Sequence, residues 1–142
     1  MLAAAVLRSG FSIATRGRGF TEISDRVAAA VGASGMQTGL VNIFTRHTSC
    51  SLLVSENADP GVRGDLERWF ARAVPDGDAL FQHDAEGPDD MPAHIRAVLT
   101  GVSVSVPIGE GRLMLGTWQG IYLWEHRRQP HQRELVLTML GM

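Results

Sequence analysis

The chain contains no lysine; all thirteen of its basic residues are arginine. Schiff-base catalysis, covalent attachment of pyridoxal phosphate and a Walker-type phosphate lysine are therefore excluded. Positive charge resides only in guanidinium groups, permanently ionised and able to grip carboxylate or phosphate through two bonds. The single cysteine, Cys50, excludes an internal disulfide framework and fits a reducing compartment. No apolar run reaches the ~18 residues that span a bilayer. A net charge of only −2, with no arginine-dense stretch, gives no electrostatic footprint for nucleic acid. No Gly-x-Gly-x-x-Gly leads from a strand into a helix, so a Rossmann fold is not expected. Internal repeats and low-complexity segments are also missing.

What is present fits one domain over residues 1–142. The acid-free segment Met1–Gly19 faintly resembles a transit peptide, but Phe11, Ile13 and Thr15 alternate with polar or small residues as a strand does. Thr21 is placed to cap a helix carrying Ile23, Val27 and Val31 on one face, ending near Gly32–Gly35. Gly39–Thr48 reads as an interior strand, apolar on both sides, with His47 at its end and a second run over Ser51–Ser55. Asp59-Pro60 starts a helix that offers Leu66, Trp69, Phe70 and Ala73 to the core. A further helix over Asp90–Leu99 presents Ile95, Val98 and Leu99, with His94 at the border of that stripe. Strands follow at Val102–Val106, Leu113–Leu115, Thr117–His126 and Glu134–Leu140. Locally connected strands with two to three short helices predict an α+β fold, an antiparallel sheet or sandwich.

The chemistry concentrates between Phe81 and His94. From Asp76 to Asp90 there are six acidic side chains and no basic one, and His83 and His94 lie within or beside them. Such crowding costs stability unless water, a cation or arginines answer it. Imidazole together with carboxylate is also what a divalent metal or an acid/base site requires. His47, His83, His94 and His126 sit at element ends or in this loop, where side chains converge into pockets; their spacing matches no short zinc signature. Three imidazoles facing one point would hold zinc or a similar ion with a position left open. Nucleophilic catalysis is disfavoured: Cys50 reads as a small core residue, and Ser49 beside His47 lacks a third partner.

The order of motifs is similar to that of the YjbQ family, sometimes called secondary thiamine-phosphate synthases. The resemblance runs through Arg18-Gly19-Phe20, His47-Thr48-Ser49, Glu56-Asn57-Ala58-Asp59-Pro60 with Val62-Arg63 and Asp65-Leu66-Glu67, and His83-Asp84-x-Glu86-Gly87-x-Asp89-Asp90-Met91-Pro92-x-His94-Ile95. It continues through Gly111-Arg112, Gly116-Thr117-Trp118-Gln119-Gly120-Ile121 and Glu125-His126-Arg127. After Arg127 the family's His-Gly-Gly and basic residue are replaced by Arg128-Gln129-Pro130-His131-Gln132-Arg133, which puts any substrate contact of that turn in doubt.

The resemblance implies an antiparallel β-sandwich-like α+β core, a homotrimer with clefts near subunit boundaries, a cytoplasmic location and a histidine-lined cleft. It also implies thiamine phosphate synthase activity, joining an aminopyrimidine diphosphate to a thiazole phosphate, as a secondary function. On these motifs the expected metal ligands for zinc or magnesium are His47, His83, His94 and His126. The expected catalytic groups are His94, His126, Glu125 and Asp90, and the expected substrate contacts are Ser49, Asn57, Arg63, Trp118, Gln119 and Arg127. Departing diphosphate would need Arg63, Arg112 or Arg127, or a cation on Asp84, Glu86, Asp89 or Asp90; a pyrimidine cation would need a wall such as Trp118 or Glu125. A metal-dependent hydrolase of a small phosphorylated metabolite and a non-catalytic trimeric metabolite-binding module are the alternatives.

Overall fold

The computed structural model describes residues 3–142; residues 1 and 2 of the acid-free segment lie outside the described residues. Two antiparallel sheets face each other. The larger orders β1 (Ala5–Ala14), β8 (Gln132–Gly141), β3 (Thr38–Thr45), β5 (Ser103–Gly109) and β6 (Arg112–Leu113). The smaller orders β2 (Gly19–Glu22), β7 (Gln119–Glu125) and β4 (Cys50–Glu56). The alternation of apolar residues predicted most of these strands, and it also fixes which face each side chain takes.

One core fills the space between the sheets. Val41, Ile43, Val106, Ile108, Leu135, Leu137 and Met139 come from the large sheet; Leu52, Ile121 and Leu123 come from the small one. Helix α1 (Ser24–Ser34) adds Val27 and Val31. It ends where Gly35 adopts φ 72°, a left-handed cap that a Cβ would strain. Strand β7 is buried on both sides. Its Tyr122 and Trp124 point away from the core, where Phe20 stacks on Trp124 with ring centroids 4.3 Å apart. Helices α2 (Pro60–Ala73) and α3 (Asp90–Thr100) cover that outer face, Phe70 meeting Trp124 edge-on at 5.0 Å. No helix among the described residues is long and apolar enough to cross a membrane.

Several details differ from the sequence reading. Thr21 lies in β2 opposite Leu123 and does not cap α1, which starts at Ser24 with Ile23 as its cap residue. A four-residue strand was hidden there because Phe20-Thr21-Glu22 is too short to show a period. Asp59 does cap α2, accepting the Gly61 amide at 2.8 Å, but α2 has no fully buried residue and Trp69 is 55% exposed. Helix α3 turns the other way from expectation. Pro92, Ala93, Arg96 and Ala97 are buried while Val98 and Leu99 are exposed. The reason is an ion pair: buried Arg96 bonds Glu67 of α2, and Glu67 Oε2 accepts the Trp124 indole N–H at 2.7 Å. That pairing rotates the small residues of α3 inward.

Candidate functional site

The site lies at the N-terminus of α3, beside the loop of residues 75–89 that joins α2 to α3. Gly87, at φ 107°, turns the chain so that Asp89 and Asp90 enter the helix, and Gly77 N–H closes the loop base on Pro88 O at 3.0 Å. Arginines from elsewhere answer half of the acids. Arg18 clasps Asp76 through two bonds of 2.9 Å, and Arg128 adds a third contact at 2.5 Å. Arg127 reaches Asp89 Oδ2 and Asp90 Oδ1, both at 3.0 Å, and Glu86 O at 2.9 Å.

Within this frame three side chains meet. His83 Nε2 lies 2.6 Å and His94 Nε2 3.1 Å from Asp90 Oδ2, and the ligand atoms of all three fall within 4.8 Å of one another. Asp90 and His94 are one helical turn apart, so α3 itself sets that pair on one face. His94 Nδ1–H donates to the Thr48 carbonyl at 2.9 Å, which orients the ring. Burial works to raise the Asp90 pKa, but the adjoining His83 and His94 rings and the Arg127 charge outweigh it. The carboxyl is held below its ordinary 3.8. Asp89 is depressed in the same way, its burial outweighed by Arg127 and the Arg128 amide.

The expected four-histidine pocket is not formed by this chain. His47 sits in the loop after β3, where its Nε2 accepts the Glu134 amide at 2.9 Å. His126 is fully buried on the Trp124 side of β7; its Nε2 meets Ser51 Oγ at 2.7 Å, and burial with nearby Arg96 lowers its pKa to about 2. His126 is therefore enclosed, with Ser51 as its partner, and is not among the side chains that converge on Asp90.

Glu125 is likewise sealed. It accepts Thr15 Oγ1 at 2.7 Å, Arg133 through two bonds, and the amides of His126 and Arg127. Burial alone would raise its pKa, yet these donors hold it below 4.5. Ser49 takes the Arg133 guanidinium at 2.8 Å. Both residues belong to a buried ion-pair network behind the site, not to a substrate surface. Cys50 is a buried core residue 3.2 Å from Thr45 Oγ1, as expected.

The remaining expected contacts gather elsewhere. Asn57, Arg63, Trp118 and Gln119 cluster at the start of β7. Arg63 bonds Tyr122 Oη at 2.9 Å and Asn57 donates to Gln119 O at 3.3 Å. The register pairs Glu56 with Gln119 there and Cys50 with Glu125 at the far end, roughly 20 Å along the strand. Trp118 precedes the strand and is 63% exposed. Arg112 pairs with Gly109, which pairs with Thr38, so it stands at the opposite end of the large sheet from Thr45 and the His47 loop. Arg127 is committed to the acids. Missing from the sequence reading were the Thr48 carbonyl, which no residue type announces, and Arg18, Asp76 and Arg133.

Two imidazoles thus converge on a buried carboxylate with an arginine behind it, on an α+β sandwich. Residues 9–142 match the family model described as UPF0047 protein YjbQ-like. The chain belongs to that family. It is 51% identical to UPF0047 protein sll1880 of Synechocystis over 129 residues, 91% of this chain and 88% of that one. With the UPF0047 protein YjbQ of Salmonella typhimurium it shares 45% identity over 131 residues, 92% and 94% of the two chains. The crystal structure of a YjbQ/UPF0047 protein from Clostridium acetobutylicum superposes with a TM-score of 0.85 at 34% identity, covering 92% of this chain and 98% of that one.

Proposed function

We infer that this protein is a metal-dependent enzyme of small-molecule metabolism whose divalent ion is held by His83, Asp90 and His94. The observation that carries this reading is the tautomer of His94. Its Nδ1 must bear a proton to donate to the Thr48 carbonyl, so in the neutral ring Nε2 offers a lone pair toward a carboxylate oxygen. Lone pair against carboxylate is repulsive unless a proton on Nε2 or a metal ion stands between them, and the second imidazole, His83, converging on the same oxygen favours the ion. The spacing suits one: ligand atoms about 2.0–2.1 Å from a tetrahedral ion lie ~3.3 Å apart, close to the 3.1 Å found. His83, on the half-exposed loop, needs to swing out by under ~1 Å to match.

Two imidazoles and one carboxylate favour zinc or a similar transition metal over magnesium, which prefers oxygen donors and water. Such an ion would supply Lewis acidity to a substrate oxygen in an open position. The chain does the rest. Thr48 fixes the His94 ring, and Arg127 neutralises Asp90 Oδ1 so that Oδ2 faces the site.

With Arg127 committed to Asp89 and Asp90, and Arg63 and Arg112 remote, none of the three arginines expected to meet a diphosphate stands free at the cluster. Hydrolysis of a small metabolite is therefore the reaction best matched to one chain. Thiamine phosphate synthesis, as a secondary activity, rests on family resemblance and on a cytoplasmic homotrimer that would bring further groups to the cleft. Zinc content of wild type and His94→Ala, phosphoester turnover with and without chelator, and rescue of a thiamine-requiring strain test the reading together. Equal metal content and activity in both proteins would overturn it.

A further inference from the structure

The loop of residues 75–89 leaves and rejoins the body of the protein at nearly one point, where the Gly77 amide bonds Pro88 O at 3.0 Å, so the chain between them forms an Ω-shaped loop. Below that bond both ends are fixed: Arg18 and Arg128 hold Asp76, and Arg127 holds Asp89. Above it the loop encloses a cavity of about 400 Å³. Eight of the nine lining residues are the loop's own, and only Met91 belongs to α3. An unfilled interior gives the loop little packing to hold it down, so its polar contacts decide where it sits. Most of these are internal, the Leu80 and Phe81 amides bonding Asp78 and the Gly87 amide bonding Asp84 O. Among the described residues, 78–86 bond the rest of the chain at two places. Arg127 donates to Glu86 O, next to the end of the segment, and His83 Nε2 meets Asp90 Oδ2 at 2.6 Å. Gly77 at φ 71° and Gly87 at φ 107° flank the segment, and glycine is the residue whose backbone turns most freely.

We propose that residues 78–86 are a hinged flap whose latch is the contact of His83 with Asp90. With the latch made, the flap closes over the cavity and His83 completes the cluster. With it broken, the flap swings about Gly77 and Gly87, and both are opened together. The arginine clasps below the hinges keep the base in place, so the motion stays within the loop. A divalent ion shared by His83 and Asp90 would hold the flap shut, a step that rests on the functional reading above; the latch itself does not.

Chymotrypsin tests it, because Phe81 lies within the flap, lines the cavity and is only partly exposed. The rate of cleavage after Phe81 reports the open population when opening is fast. Rates are measured on the full chain in chelator and divided by those of the same chain unfolded, which removes any preference of the protease for the substituted residue. His83→Ala should raise the rate about tenfold, the value of one hydrogen bond to a carboxylate at a half-exposed position. Asp90→Ala, which removes the other half of the latch and leaves the cleaved segment as it is, should raise it at least as much. Cleavage after Trp118, exposed at the start of β7, should be unchanged in the same digests and shows that the fold is intact. An unchanged rate after Phe81 in either variant, or an equal rise after Trp118, would overturn the proposal. Zinc is added last and should slow cleavage of wild type after Phe81 about tenfold, while leaving His83→Ala unprotected. Zinc without effect on wild type, with the variants' rise in chelator intact, would remove the metal reading and leave the latch standing.

Discussion

His94 and Thr48 are joined by a hydrogen bond of 2.9 Å from the imidazole Nδ1–H to a backbone carbonyl. A carbonyl only accepts, so Nδ1 carries a proton and Nε2 faces Asp90. Ring orientation by a main-chain acceptor is how metal-ligating histidines are ordinarily held. It ties the loop after β3 to the first turn of α3, two segments 46 residues apart. The His47-Thr48-Ser49 motif thus contributes its middle residue's backbone, while its histidine and serine side chains serve the sheet and the buried network.

Asp90→Asn and His94→Ala should each lower divalent-metal affinity by roughly 100-fold or more, as loss of one of three protein ligands does. Zinc stoichiometry after dialysis, read alongside the far-ultraviolet spectrum, checks this. His126→Gln should leave the stoichiometry at the wild-type value. That outcome separates the three-residue site from the four-histidine set suggested by sequence.

Arg127→Met should destabilise the fold by ~3 kcal/mol, because it strands the carboxylates of Asp89 and Asp90, which are 11% and 2% exposed. Urea unfolding measures it. Pairing the substitution with Asp89→Asn should recover part of the loss, since one unpaired charge disappears with it.

The sandwich was legible because its strands alternate over five residues or more, as Val102–Val106 and Thr117–His126 do. Legible too was the helix start at Asp59-Pro60. The face of α3 was not, since buried Arg96 is paired through Glu67 and Trp124, residues 29 and 28 positions away, and periodicity counts it as solvent-facing. The site was half legible. His83 and His94 were expected as metal ligands and Asp90 as a catalytic group, all within twelve residues; His126 and Glu125 looked equivalent. Their burial depends on β7 being covered on both faces, which a strand whose aromatics alternate does not reveal.

Acid should weaken the fold in two stages. His126 has its folded pKa lowered to about 2 against an ordinary 6.5, so between these values the unfolded chain binds the extra proton and stability falls as pH falls. The slope is about half of 1.4 kcal/mol per pH unit at 6.5 and approaches ~1.4 kcal/mol per unit about one unit below it. Asp76, Asp89, Asp90 and Glu125 also have depressed folded pKa values. Their contribution is present above their unfolded values near 3.8 and 4.5 and is lost as pH drops below them. Urea midpoints from pH 7.5 to 4 should show the first stage in wild type. In His126→Gln that stage should shrink to whatever His47 contributes, since burial also lowers its pKa.

Among the described residues no helix covers the outer face of the large sheet, and its register lines up apolar side chains in rows. Val6, Leu140, Leu40 and Pro107 stand opposite one another across β1, β8, β3 and β5; Val136, Phe44 and Ser103 form a row four residues along, beyond the polar row of Arg8, Thr138, Asn42 and Ser105. Val6, Leu40, Phe44 and Leu140 are between 38% and 70% exposed in the single chain. Exposed apolar side chains in register on either side of that polar row are suited to burial between copies, which is where the expected homotrimer would draw its stability. Phe44→Glu with Leu140→Glu should therefore convert the assembly to monomer in light scattering while leaving the far-ultraviolet spectrum unchanged, since neither side chain belongs to the core. Trimers persisting in that variant would move the interface to another face, and a monomeric wild type would remove it.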